Sequence, residues 1–167
     1  HLDLSSLETL GEHGTRAPDS ARRGWDEPMT LLYTSGTTGK PKGVIVTEAN
    51  CFWGNVNFAL GSMVDADSVF LCDMPLFHTA GLFAAVRVPL WAGGSVWISS
   101  GFDPQKTIAR IADADLAITH YFSVPQMATT LWQHPDFVPE KFAGLKLYAT
   151  GGAPNPKAQV ERFAEAG

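Results

Sequence analysis

Residues Thr34-Ser35-Gly36-Thr37-Thr38-Gly39-Lys40-Pro41-Lys42-Gly43 place four hydroxyls, three glycines and two lysines between apolar runs. That composition suits an anion. Glycines let backbone N–H groups close on a phosphate, hydroxyls donate hydrogen bonds, and lysine brings a mobile positive charge. Each charge-assisted bond is worth about 1.5–3 kcal/mol, so several together can hold a triphosphate. A P-loop needs four residues between its glycines, then Lys and Ser or Thr, then a helix. Here two residues separate Gly36 from Gly39, Pro41 follows Lys40, and the next segment has strand character. The bland alternative is a hairpin loop that binds nothing.

Two other places could carry chemistry. His78 follows an apolar strand candidate, so it is either a hydrogen-bonded core histidine or a side chain at the ligand-binding edge of a sheet. Gly151, Gly152, Ala153 and Pro154 also follow a strand candidate. Small residues there let a flat group lie against the backbone, but a plain strand-to-helix turn capped by Asn155 fits equally well. His120, His134 and Trp132 stand alone and are read as packed or exposed. Asp113 and Asp115 are read as a helix end, and no metal site is assigned.

The elements that must position these residues alternate. Met29–Thr34 and Gly43–Thr47 read as strands flanking the Gly/Thr loop. A helix follows, capped by Asn50, with Phe52, Val56, Ala59, Leu60 and Met63 inward. Next come a strand at Val69–Met74, a helix at Gly81–Trp91 distorted by Pro89, and a strand at Ser95–Ser99. Asp103-Pro104 opens a helix with Ile108 and Ile111 on one face. Leu116–Phe122 is a strand, and Val124, Met127, Ala128 and Leu131 form the stripe of another helix. Leu145–Thr150 is a last strand, and Asn155-Pro156 opens a helix with Val160 and Phe163 inward. The fold class is therefore α/β, strands and helices alternating around a largely parallel sheet. Residues 1–28 are a polar lead-in broken by Gly11, Gly14, Pro18, Gly24 and Pro28, with one short helix expected at its start, and the folded part runs from 29 to 167.

The loop Thr34–Gly43 resembles the signature loop of the adenylate-forming superfamily, which includes acyl-CoA synthetases, peptide-synthetase adenylation domains and luciferases. Two further segments follow in that family's order. Pro75-Leu76-Phe77-His78-Thr79-Ala80-Gly81-Leu82 resembles its His-containing acyl-pocket motif, and Thr150-Gly151-Gly152-Ala153-Pro154 its adenine-contacting loop. Phe102-Asp103-Pro104 and Val124-Pro125-Gln126-Met127 are similar too, so the resemblance runs from about Met29 to Gly167.

The resemblance implies a partial AMP-binding N-terminal domain acting with ATP, Mg²⁺ and CoA on a carboxylic acid. Thr34, Ser35, Gly36, Thr37, Thr38, Gly39 and Lys42 would hold the β- and γ-phosphates. Gly151, Gly152, Ala153 and Pro154 would contact adenine. Lys42 and His78 are the residues it implies for catalysis, His78 as a pocket residue near the carboxylate or α-phosphate and not as a general base. The family's Tyr-Gly-x-Thr-Glu segment, its ribose-binding Asp, its hinge and its C-terminal domain with a catalytic Lys have no counterpart in the 167 residues. The chain is therefore expected to be a fragment that binds nucleotide weakly and does not complete adenylation. Its last helix lacks the strand that a parallel sheet would normally add next. The family's usual Thr-His is Thr47-Glu48 here.

The apolar stretches Leu82–Trp91 and Leu116–Val124 point to a fatty or aryl acid, whereas an amino acid would need a carboxylate for its ammonium. A carrier protein in place of CoA, or a non-catalytic nucleotide-binding domain, are the competing readings. A net charge of -5 argues against nucleic acid. The 45% hydrophobic content is enough for a core. Two cysteines, Cys51 and Cys72, lack paired spacing, and no apolar run reaches about 18 residues. A soluble, cytoplasmic protein is the expectation.

Overall fold

The computed structural model describes residues 24–35 and 39–165. The expectations for residues 1–23, for Gly36, Thr37 and Thr38, and for the last two residues lie outside that range. Strands β1 (Pro28–Thr34) and β2 (Lys42–Thr47) form an antiparallel hairpin, with Thr34 opposite Lys42. Strands β3 (Val69–Cys72), β4 (Ser95–Ile98), β5 (His120–Ser123) and β6 (Leu147–Thr150) form a parallel sheet in the order β4-β3-β5-β6. The parallel α/β expectation holds.

Helix α1 (Glu48–Gly61) follows the hairpin. Its cap is Thr47, not Asn50. Thr47 Oγ1 accepts the Asn50 N–H at 3.3 Å, and Asn50 Oδ1 accepts the Thr47 N–H at 3.1 Å. This reciprocal capping box puts the helix start three residues earlier than expected. The inward stripe also differs. Cys51, Asn55 and Ala59 are buried, at i, i+4 spacing, whereas Leu60 and Met63 are exposed.

The helix expected at Gly81–Trp91 is continuous but changes pitch. Ala80–Arg87 is π-helical, and α2 (Val88–Trp91) is α-helical. At the junction the Val88 N–H donates to the Phe83 carbonyl, five residues back. Pro89 has no N–H, and in a regular helix its ring would meet the carbonyl four residues earlier, so the wider turn before it relieves that clash.

Helix α3 (Pro104–Ala112) starts where Asp103 accepts the Lys106 N–H, and α4 (Pro125–Gln133) follows β5. A 3₁₀ turn at Pro139–Phe142, absent from the sequence reading, precedes β6. Strands β5 and β6 are shorter than expected. The Asp113 carboxylate takes the Asp115 N–H in an Asx turn, and the Leu145 N–H bonds to Phe142, so both strands begin only after those turns close. The last helix, α5 (Lys157–Glu165), begins after Asn155-Pro156. The Asn155 side chain does not cap it and instead donates to Thr150 Oγ1.

Helices cover both faces of the sheet, which is why β3 reads as an unbroken apolar run. On one face Leu71, Ile108, Ile111, Ile118, Tyr121 and Leu131 form the core. On the other, Phe70, Cys72, Met74 and Ala85 pack together. His120 is fully buried and stacks on Phe70 at 4.6 Å, with Nε2 3.0 Å from the Ser62 carbonyl and Nδ1 2.8 Å from Thr119 Oγ1.

Burial pulls the His120 pKa below its ordinary value, against the Ser62 carbonyl, which supports the protonated form. As pH falls below about 6.5 the unfolded chain takes up a proton that folded His120 refuses, so stability drops until the folded pKa is passed. Denaturant midpoints at pH 7.5 and 5.5 should show that loss, and His120→Phe should reduce it.

Candidate functional site

The chain leaves β3 for β4 on one side and returns to place β5 on the other. The β3/β5 boundary is thus a topological switch point, and the crevice at the carboxyl ends of these strands is where open α/β sheets bind ligands. Three segments reach this edge: residues 73–78 after β3, Val124 after β5, and residues 151–155 after β6.

Asp73, buried at 3% exposure, anchors the first of them. Its Oδ1 accepts from Ser99 Oγ at 2.5 Å, and its Oδ2 accepts from Thr107 Oγ1 at 2.5 Å and Tyr121 OH at 3.2 Å. Arg110 Nη1 lies 3.6 Å from Oδ1. Burial and the Asp73 charge push the Tyr121 hydroxyl far above its ordinary pKa, so it stays a donor. Burial likewise pushes Tyr148 up to about 12. Sequence reasoning passed over Asp73; an acid closing an otherwise apolar strand was the available signal.

His78 sits in the turn that Asp73 introduces. The His78 N–H bonds to the Pro75 carbonyl at 3.1 Å, the ring lies 4.8 Å from Phe77, and the side chain is exposed. It is therefore not a core histidine. Gly81 holds the turn against the helix so closely that a Cβ there would stand 2.4 Å from the Pro75 carbonyl oxygen. Gly81→Ala should cost about 1–3 kcal/mol in chemical denaturation, because backbone, not a flexible side chain, must move.

Beside this turn lies a cavity of about 420 Å³, lined mostly by apolar groups. Cys51, Asn55 and Phe58 of α1 form one wall, Ala80, Phe83 and Ala84 of the π-helix another, and Phe122, Val124, Gly151 and Gly152 close it from the sheet edge. Burial raises the Cys51 thiol, more than the nearby Arg87 lowers it. Gly152 has φ +84°, and a Cβ on Gly151 would stand 3.1 Å from the Phe122 ring, so glycine keeps this wall open. Ala153 and Pro154 are exposed beyond the cavity lining.

The structure thus gathers Thr79 and Ala80, next to His78, with Gly151 and Gly152 around one cavity. None of the described residues of the Gly/Thr loop is in that lining. Thr34, Ser35, Gly39, Lys40 and Lys42 are exposed at the hairpin tip, and Gly39 has φ +81°. Among the described residues no ion pair engages Lys40 or Lys42, so both charges are available to an anion. Glu48, in the first turn of α1, lies 4.0 Å from Arg87, whose guanidinium also stands 5.8 Å over the Phe83 ring. Among the described residues no group of three or more His, Cys, Asp or Glu could hold a metal ion.

A parallel sheet with a cavity at its switch point, preceded by a hairpin with exposed lysines, is an α/β domain of the kind that binds ligands at that edge. More specifically, the chain belongs to the AMP-binding enzyme family, whose model matches residues 2–167. It is 33% identical over 144 residues to a feruloyl-CoA synthase of Amycolatopsis sp., covering 86% of this chain and 29% of that protein. It is also 33% identical over 162 residues to a 2-succinylbenzoate–CoA ligase of Geobacillus sp. (strain WCH70), covering 96% of this chain and 31% of that protein. The fold matches ATP-bound MatB from Rhodopseudomonas palustris with a TM-score of 0.81 at 30% identity, over 96% of this chain and 31% of that one. The chain therefore spans somewhat under a third of the length of these relatives. The adenylate-forming resemblance drawn from the three motifs is borne out.

Proposed function

We propose that the protein activates a carboxylic acid with ATP and passes the acyl group to CoA, and that residues 29–167 form part of its N-terminal domain. The observation that carries this is the apolar cavity at the switch point, bounded by the turn after His78 and by Gly151-Gly152, in a chain of the AMP-binding family. The similar proteins are named as CoA ligases and an ATP-bound structure, which supports the acceptor and the nucleotide.

In this reading the acid carboxylate attacks the α-phosphorus of ATP, forming an acyl-adenylate and releasing pyrophosphate. The CoA sulfur then attacks the acyl carbon, giving a thioester and AMP. Thr34, Ser35, Gly36, Thr37, Thr38, Gly39 and Lys42 hold the β- and γ-phosphates, work that is chiefly positioning and charge stabilisation. His78 meets the carboxylate or α-phosphate as a hydrogen-bonding group, and Gly151, Gly152, Ala153 and Pro154 take the adenine. Mg²⁺ would enter with the triphosphate as part of the nucleotide substrate. The substrate is a fatty or aryl acid, supported by the apolar lining. The site of action is the cytoplasm, consistent with two unpaired, buried cysteines. No described helix is long and apolar enough to cross a membrane.

The test is product analysis on the intact protein that carries this sequence, with fatty, aryl and amino acids, with and without CoA. Thioester should appear only with CoA and only with fatty or aryl acids. Transfer to a carrier protein but not to CoA would replace the acceptor.

A further inference from the structure

Helix α1 gives the cavity two amide side chains, Asn50, whose Oδ1 is engaged by the Thr47 N–H in the capping box, and Asn55, which is 1% exposed. The Asn55 Nδ2 is buried with no hydrogen-bond partner. Cys51, Phe58, Ala84, Val88 and Phe122 line the same cavity, and none of them is charged. A buried amide donor is costly to leave unmade, and native proteins keep one where water or a ligand completes it.

We infer that Asn55 is a specificity-determining residue, whose amide hydrogen-bonds a neutral oxygen on the body of the acid substrate: a hydroxyl, ether or ketone set apart from the reacting carboxylate. The inference rests on the proposed acid activation and narrows its substrate class. Two features select that chemistry. The cavity volume of about 420 Å³ fits an aryl or medium-chain body, and apart from Asn50 and Thr79 the rest of the lining is apolar or glycine. Among its described residues there is no Lys, Arg, Asp or Glu, so a second carboxylate or an ammonium would enter without a counter-charge. A neutral oxygen suits both needs. A hydroxyl can also donate or accept, so it pairs with the amide in either orientation.

A site built to bond a substrate oxygen discriminates against the analogue that lacks it more sharply than an apolar pocket discriminates by size. The experiment compares kcat/KM of the intact protein for matched acids: phenylpropenoic acid with and without a ring hydroxyl or methoxyl, and octanoic acid with and without a mid-chain hydroxyl. Wild type should favour an oxygenated member by roughly tenfold or more. In Asn55→Leu that ratio should collapse to about one or invert, with the melting temperature held or raised because an orphan donor has been removed. A wild-type enzyme that treats matched pairs alike overturns the inference without any variant. So does an unchanged ratio in a destabilised Asn55→Leu, which would make Asn55 structural only. If no acid supports AMP formation, the proposed function itself fails and takes this inference with it.

Discussion

Lys42→Met should lower the rate of acid-dependent pyrophosphate release in the intact protein by about a hundredfold to a thousandfold, the usual loss when one electrostatic stabiliser is removed. Lys42 is the first residue of β2 and pairs with Thr34 across the hairpin, so its backbone is fixed while its side chain is exposed. No described carboxylate competes for its ammonium. Removing the charge should therefore leave folding nearly untouched, and the melting temperature should stay within a degree or two of wild type, the range for surface changes of about 0.5 kcal/mol. Lys42→Arg should recover little, since a planar fork does not replace a compact point charge. A rate within a fewfold of wild type would take Lys42 out of the phosphate site.

Asp73→Ala should destabilise the fold by about 3–5 kcal/mol, measured by urea unfolding. The carboxylate is buried, and losing it strands the Ser99, Thr107 and Tyr121 hydroxyls and leaves Arg110 without its partner. Because Asp73 joins β3 to the turn carrying His78, the same change should loosen that turn. Tyr121→Phe should cost about 1 kcal/mol, and the double variant less than the sum, because both act on one network. A loss below 1 kcal/mol for Asp73→Ala would mean that solvent reaches the network and replaces it.

The strand and helix order was legible because each element's apolar period agrees with its position in a two-sided parallel sheet. Its boundaries were less so. Asn50 carries a good capping side chain, yet Thr47 is the cap, since a capping box needs both residues and only three-dimensional pairing tells which one leads. The α1 stripe was read from the largest apolar residues, whereas the buried face is Cys51, Asn55 and Ala59. That face borders a cavity, and a helix wall facing empty space does not need bulky side chains, so Asn55 had no periodic signal to mark it. The candidate site residues came from motif composition at strand ends; the structure places Gly151 and Gly152 in the cavity lining and His78 exposed in the turn beside it. Asp73 escaped because its partners come from the residue after β4, from α3 and from β5, and its role exists only once those elements meet.

Acid-dependent exchange of labelled pyrophosphate into ATP, measured on the intact protein without CoA, tests acyl-adenylate formation most directly. Exchange with an aryl or fatty acid, and none without acid, is the predicted result. ATP binding without exchange for any acid in the panel would contradict acid activation and leave a nucleotide-binding domain with different chemistry.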